Sequence, residues 1–318
     1  MSFQDDFHAS DNHVLVIGAS GLDIVGRSNT LPEPGTSTPA QVRPSFGGVA
    51  RNVAENLAKL CLPVSLISVV GQGEFGKHLL DYTKAQGVNI SPCLRTAEFN
   101  TSSYLAVLTN KGELQFALDD MRAISALKPE YIRKHAQLFK QSDFVFIDSN
   151  IPAPTLKTVF HQARLAKTPV CADATSNKLA SRLIPFLDKI FLLTANAAEA
   201  AVLTNTTFAN NDRLGALNAA RLLINRGVGA AVISIAEFGV CYATSETSGH
   251  IPAIKTKIID PTGAGDALNA ALIFGLVNEM PIDEAVRLGV SAASLTLKIR
   301  GSVIPDLTLE KIYDQLYI

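Results

Sequence analysis

Cysteine is scarce in this chain and wrongly spaced for metal or disulfide chemistry. The four present, Cys61, Cys93, Cys171 and Cys241, stand far apart, form no C-x-x-C pair and mostly sit in or near apolar runs. That pattern excludes a zinc ribbon or a disulfide framework and predicts reduced residues in or near a core. An excess of charge of one sign is also lacking. With 28 Lys and Arg against 29 Asp and Glu, a formal net charge of -1 and no basic run, the surface offers no groove for polymeric nucleic acid. No apolar run approaches the roughly 18 residues of a membrane span, and Met-Ser-Phe-Gln-Asp-Asp at residues 1–6 lacks the basic start of a signal peptide. These absences predict a soluble cytoplasmic protein with neither a nucleic-acid polymer nor a membrane as partner.

What the chain does have is length and apolar content. Its 318 residues, 47% of them apolar, suffice for one large α/β domain or two small ones with a substantial core. The most informative stretch is Asp260-Pro-Thr-Gly-Ala-Gly-Asp266, which runs into Ala267-Leu-Asn-Ala-Ala-Leu-Ile-Phe-Gly-Leu276. Apolar residues at 264, 267, 268, 271, 272 and 276 follow the three-and-four spacing of a helix with one buried face. The glycines therefore lie at its N-terminus. Free N–H groups and the positive dipole end there, with glycines that admit close approach, make Gly263, Ala264 and Gly265 a candidate oxyanion cradle. Asp266, in the first turn, either complements the dipole, worth about 0.3–1 kcal/mol, or takes a proton from a hydroxyl attacking an electrophile held in the cradle. The glycines favour the second role.

Earlier in the chain, His13-Val-Leu-Val-Ile-Gly18 reads as a buried strand, followed by a loop carrying Gly21 and Asp23. Asp23 suits two vicinal hydroxyls, each donating to one carboxylate oxygen, or a turn. Residues 29–46 are rich in Pro, Thr and Ser, after which Phe46-Gly-Gly-Val-Ala-Arg-Asn52 opens a helix. There Gly47 and Gly48 permit close ligand approach, and Asn52 bonds a ligand or caps the helix. Val64-Ser-Leu-Ile-Ser-Val-Val70 is a further strand, followed by Gly71-Gln-Gly-Glu-Phe-Gly-Lys-His78. That segment mimics both G-x-G-x-x-G and G-x-x-x-x-G-K-[ST], but His78 carries no hydroxyl for magnesium and no acid follows about 20 residues on, so it is neither a dinucleotide site nor a P-loop. Thr101-Ser-Ser-Tyr-Leu-Ala-Val-Leu108 and Leu114-Gln-Phe-Ala-Leu-Asp119 read as strands joined through Thr109-Asn-Lys-Gly112. Together, stretches of about 22–46 and 98–120 predict a small β lid able to exclude water.

From residue 130 the pattern alternates: helix 130–141, strand 144–148, helix 154–167, strand 170–173, a helical segment at 179–187, strand 190–193, helices from 196 and over 212–226, and strand 231–235. Such βα repetition implies a parallel sheet covered on both faces, with ligands at the strands' C-terminal ends. Asp148, Asn150, Asp173, Asn196, Glu199 and Asp266 all fall at or just past such ends. Asn196 and Glu199, at i and i+3 of a helix start, either order magnesium through its waters or form a capping box.

On these residues the chain resembles the ribokinase-like (phosphofructokinase-B) family of carbohydrate and nucleoside kinases over nearly its whole length. The resemblance is carried by Gly47-Gly48 with Asn52, Gly71 through Gly76, Asn196-x-x-Glu199 and, most specifically, Asp260-Pro-Thr-Gly-Ala-Gly-Asp266. Four segments are similar to the branch that phosphorylates pseudouridine: Phe46-Gly-Gly-Val-Ala-Arg-Asn-Val-Ala-Glu-Asn-Leu-Ala58, Asn100-Thr-Ser-Ser-Tyr104, Leu118-Asp-Asp-Met121 and Pro252-Ala-Ile-Lys-Thr256.

The resemblance implies a single domain over 1–318 with a three-layer α/β/α fold, a mostly parallel central sheet and a small β lid. It implies ATP as donor, Asp266 as base with Gly263, Ala264 and Gly265 as anion hole, and Asp23, Gly47, Gly48 and Asn52 at the ribose. Asn196 and Glu199 would lie near Mg2+ and the phosphates, while K+ would sit between Asp260 and Thr262 on one loop and Gly301 and Ser302 on another. For the uracil ring, the polar candidates are Thr101, Ser102, Ser103, Tyr104, Asp120 and Asn150, although an exposed hairpin also carries Ser and Thr. Where relatives have Thr-x-Gly-x-x-Gly, this chain reads Ser234-Ile-Ala-Glu-Phe-Gly239: Ser234 and Gly239 still suit a nucleotide phosphate, but Ala236 replaces a glycine. The expected products are pseudouridine 5′-phosphate and ADP. Rival readings are a kinase of ribose, fructose phosphate, adenosine or inosine, and a catalytically silent nucleoside-binding protein. An exposed flap further predicts a homodimer paired through it.

Overall fold

The computed structural model describes residues 12–32, 35–109 and 114–316; residues 1–6 and the hairpin turn expected at 110–112 lie outside them. Strand β1 (Val14–Ile17) is buried on both faces and leads almost at once into β2 (Gly21–Ser28). Asp23 thus stands on a strand and not in the expected loop, because residues 21–28 pair on one side with β3 (Ala40–Gly47) and on the other with 102–109. Helix α1 (Val49–Lys59) follows, then β4 (Val64–Ile67), the short β5 (Val69–Gly71), α2 (Glu74–Ala85) and β6 (Leu94–Thr96). Strands β7 (Ser102–Thr109) and β8 (Leu114–Asp120) form the antiparallel hairpin.

The expected alternation then appears as α3 (Pro129–Lys134), α4 (Ala136–Lys140), β9 (Phe144–Asp148), α5 (Ala153–Ala166), β10 (Val170–Asp173) and α6 (Asn177–Ala180). It continues with β11 (Leu192–Asn196), α7 (Ala197–Thr204), α8 (Arg213–Asn225), β12 (Ala230–Ser234), β13 (Val240–Thr244) and β14 (Ser248–Ile251). Helices α9 (Ala264–Val277), α10 (Ile282–Thr296) and α11 (Leu309–Leu316) close the order.

Three departures from the expected elements have local causes. The helix expected over 130–141 breaks at His135, whose ring nitrogen pairs with the Tyr131 carbonyl while its backbone N–H reaches back only to Ile132. The segment at 179–187 tightens into a 3-10 turn over Ser181–Lys189, since Pro185 has no N–H for an α-helical bond. Strand β11 begins two residues later than expected because Cys171 of β10 pairs with Leu192, and it ends at Asn196.

The central sheet has the order β14-β13-β12-β11-β10-β9-β1-β4 and is parallel except at β13 and β14. Alternate side chains feed two cores. Leu15, Ile17, Val145 and Ile147 face α3 to α5, α7 and α8, while Val14, Val16, Phe146 and Leu192 face α1, α9, α10 and α11. The three-layer architecture read from the sequence is therefore present, and the parallel strands bring their C-terminal ends to one edge. Over that edge stands a separate four-stranded sheet, β3-β2-β7-β8. Among the described residues no helix is long and apolar enough to cross a membrane. No cysteine there is paired; Cys171 and Cys241 are buried and Cys93 is partly so. Cys61 departs from the core placement, because the left-handed turn that ends α1, φ 62°, leaves it exposed.

Candidate active site

Helix α9 begins at the sheet edge, and Gly263 is its N-cap with φ 80°. A β-carbon at Gly263 would lie 2.0 Å from the Ser302 carbonyl oxygen, so only glycine lets the two loops touch. No side chain caps the first turn; the Ala264 N–H reaches the Pro261 carbonyl at 3.4 Å, and the N–H groups of the residues after it are left for a ligand. The neighbouring loop is self-supporting, with Thr262 N–H donating to Asp260 Oδ1 at 3.0 Å.

Asp266 is 9% exposed and sits in that first turn. Burial pushes its carboxyl up to about 7; the bond from Asn52 and the charge of Arg51 oppose this, while Asp173 and Asp148 add to it. Asn52 Nδ2 donates to Asp266 Oδ2 at 2.6 Å, which fixes the carboxylate against α1. A carboxylate with such proton affinity, beside uncapped N–H groups, is equipped to take a proton near neutral pH. Asn52 does not cap α1, where the N-cap is Gly48 with φ 95°. A β-carbon at Gly48 would fall 2.5 Å from the Ala19 carbonyl oxygen.

Asp148 ties this corner together. Its carboxylate accepts from the N–H groups of Ala19 (2.7 Å), Ala50 (3.2 Å) and Asn150 (2.9 Å), joining the ends of β1 and β9 to the start of α1. Asp23 faces the same corner from β2, raised to about 6 by burial, against the Arg51 charge and with that of Asp260. Its carboxylate occupies the space that a β-carbon at Gly47 would need.

Two cavities flank these acids. The larger, of about 660 Å³, is bordered by Asn196, Glu199, Ser234, Gly239, Gly265 and Asp266. The smaller, of about 160 Å³, is bordered by Asp23, Asp260, Thr262 and Gly301 with Arg27, Arg43 and Arg300. Asn196 and Glu199 form a complete capping box, each backbone N–H donating to the other's side chain at 2.9 Å. Burial, with the charge of Asp173, nonetheless raises Glu199 to about 7.

The flap candidates are only partly brought together. Strand register puts Ser102 and Tyr104 on the face of Asp23, but Asp120 pairs with Ser103 on the opposite face, where Arg122 clasps its carboxylate at 2.7 and 2.8 Å. Asp119, paired with Tyr104, takes the inner position. Thr101 accepts the Gly71 N–H at 3.1 Å, and Asn150 supports Asp148; neither borders the two cavities. Ser302 Oγ is turned toward the Phe46 carbonyl and Asn52 Oδ1, while its own carbonyl meets Gly263.

Two site residues went unread in the sequence. Asn269 lies one turn beyond Asp266 on α9; it accepts from Thr194 Oγ1 (2.7 Å) and donates to Asp173 Oδ2 (2.8 Å) at the larger cavity. The i+3 spacing from Asp266 was its only signal. Arg51 is the other, and its guanidinium is fully enclosed.

Ala236 stands at the glycine position of the Ser234 to Gly239 turn with φ 52°, a conformation unfavourable for a β-carbon. Ala236→Gly is expected to stabilise the protein by about 1 kcal/mol, read as a rise in Tm of a few degrees. An unchanged or lower Tm would mean the turn carries no strain.

Comparison with known proteins places these features in a wider group. A family model described as pfkB family carbohydrate kinase matches residues 11–308. The chain is 32% identical over 302 residues to a pseudouridine kinase of Escherichia coli (strain K12), covering 95% of each chain. It is 27% identical to a guanosine-inosine kinase of Exiguobacterium acetylicum, over 93% of this chain and 98% of that one. The fold matches that of Arabidopsis thaliana ribokinase complexed with ribose and ATP, with a TM-score of 0.82 and 21% identity over 96% of this chain and 99% of that one.

Proposed function

Since the chain belongs to the pfkB family of carbohydrate kinases, we propose that it transfers the γ-phosphoryl group of ATP to the 5′-hydroxyl of pseudouridine. The observation that carries the reading is Asp266: a buried carboxylate of raised proton affinity, held by Asn52 at an uncapped helix start that opens on the larger cavity. That cavity suits the nucleotide, and the corner of Asp23, Gly47, Gly48 and Asn52 suits the ribose. Tyr104 and Asp119 stand on the Asp23 face of the flap, where they would meet the base.

In the proposed reaction the 5′-oxygen loses its proton to Asp266 as it bonds to the γ-phosphorus. The bond from that phosphorus to the β–γ bridging oxygen breaks in line, and ADP leaves. The N–H groups at the start of α9 face the charge that develops on the transferring group. Among the described residues no three His, Cys, Asp or Glu side chains form a metal cage, which fits a magnesium held mainly by phosphates and water. Glu199 and Asn196 would hold it through those waters, and when bound it neutralises phosphate charge. Asp260, Thr262, Gly301 and the Ser302 carbonyl present the oxygens a K+ would use.

The flap also favours a homodimer. Val42, Leu105, Phe116 and Leu118 are exposed and share the face opposite Asp23, an apolar surface for a second copy to cover.

A second reading has one observation in its favour. Arg27, Arg43 and Arg300 border the small cavity beside Asp23, a cationic lining that suits an acceptor already carrying a phosphate. A kinase panel of pseudouridine, uridine, adenosine, inosine, ribose and fructose 6-phosphate separates the two. Pseudouridine is expected to exceed the others in kcat/KM by at least about 100-fold, the discrimination available to a site that hydrogen-bonds the distinguishing group. Preference for fructose 6-phosphate would favour the arginine reading, and no ADP with any acceptor would remove both.

A further inference from the structure

Arg51 is 1% exposed, yet each nitrogen of its guanidinium has a partner. Nε donates to the Gly47 carbonyl at 3.1 Å and one terminal nitrogen to the Phe46 carbonyl at 2.9 Å. That nitrogen also donates to Asn52 Oδ1, and the other terminal nitrogen pairs with Glu55. Glu55 in turn accepts from Tyr82 Oη at 3.1 Å and lies 3.7 Å from Lys59 Nζ.

The consequence lies in the side-chain amide of Asn52. A guanidinium has donors and no acceptor, so the Asn52 atom that faces it is oxygen. Ser302 Oγ donates to the same Oδ1 at 3.1 Å. With its oxygen engaged twice, Asn52 can present only nitrogen to Asp266, and does so at 2.6 Å. An amide free to flip would also offer its oxygen, which pairs with a protonated acid and favours the form that cannot act as a base.

We infer that Arg51 is a positioning residue for phosphoryl transfer: it locks the amide of Asn52 so that only a donor faces Asp266, keeping that carboxylate free to accept the substrate's proton. The inference rests on Asp266 being the base. The charges that bear on Asp266 are Asp173 from the end of β10, Asp148 from the end of β9 and Arg51 from α1, so Arg51 is the one cation among them. The same charge reaches Asp23 across the site. One buried guanidinium thus bears on two acids, Asp23 on β2 and Asp266 at the start of α9.

The test compares Arg51→Met paired with Glu55→Gln, which removes both charges of the buried ion pair while Lys59, the other cation beside Glu55, keeps its bonds to Gln86 and the Pro305 carbonyl, with Arg51→Lys and Asp266→Asn in the full chain. kcat is measured across neutral and alkaline pH with the best acceptor of the panel. The paired variant is expected to lose roughly five- to tenfold at about pH 7 and less than about twofold at about pH 9, because the rising limb of its profile moves up by about one pH unit. Arg51→Lys keeps the charge without the fork and is expected to fall between. A loss of equal size at every pH, or no loss, overturns the role of Arg51. If Asp266→Asn keeps its turnover, the base assignment fails and the inference with it; an inactive Asp266→Asn beside a pH-independent Arg51 effect overturns the inference alone.

Discussion

Asp266→Asn is expected to lower kcat by about 10²–10⁴-fold, the usual contribution of a positioned general base. Asparagine has nearly the same shape and keeps an oxygen for the Asn52 donor, so the acceptor's KM should change little. The same substitution should stabilise the fold, and the pH dependence shows why. The Asp266 carboxyl is raised from its ordinary value to about 7 in the folded chain, so between these limits the folded state holds a proton that the unfolded state has released. The stability that the neutral acid contributes is complete below about pH 4 and is lost as pH rises through about 7. Above that, an ionised carboxylate is buried at a cost. The neutral amide of the variant carries no such cost, so it should melt like the parent at about pH 4. At about pH 8 it should melt several degrees above the parent, a gain on the order of 1–3 kcal/mol. Unaltered turnover would remove Asp266 from the chemistry, and a variant less stable at the higher pH would mean that the buried charge is fully compensated by Asn52 and Arg51.

Much of this arrangement was legible because it is local. The glycine-rich entry to α9 announces both the helix and the acid in its first turn, and the alternation after residue 130 places Asp148, Asp173 and Asn196 at strand ends without knowledge of the sheet order. What escaped is non-local. Asp23 joined a strand because β2 pairs with the distant β7, Gly21 against Ser102 and Asp23 against Tyr104, and no periodicity within residues 18–23 reports that partner. The same pairing decides which of two adjacent acids faces inward: register gives Asp119 the inner face and Asp120 the outer, an outcome a slip of one residue would reverse. Arg51 was hidden for a different reason. A charged residue on a helix reads as solvated, and only the convergence of Phe46, Gly47, Asn52 and Glu55 around it makes burial tolerable.

Gly263→Ala should be the most damaging single change that adds only a methyl group. At φ 80° an alanine carries about 1–2 kcal/mol of backbone strain. Its β-carbon would stand 2.0 Å from the Ser302 carbonyl oxygen and 2.6 Å from that carbonyl's carbon, and both are backbone, so no rotamer relieves the overlap. The two loops must separate. Ser302 then withdraws its hydroxyl from Asn52 Oδ1, and the first turn of α9, which carries Asp266, shifts against the corner of Asp23, Gly48 and Asn52. Misplacement of about 1 Å in such a site costs on the order of 100-fold, so kcat should fall by at least that factor while the acceptor's KM rises, with a loss of roughly 2–4 kcal/mol in stability. Gly265→Ala is the matched control: a β-carbon there meets nothing within 4 Å, and the fold should tolerate it. Equal stability of the two alanine variants would show that the contact between Gly263 and Ser302 does not hold the loops together.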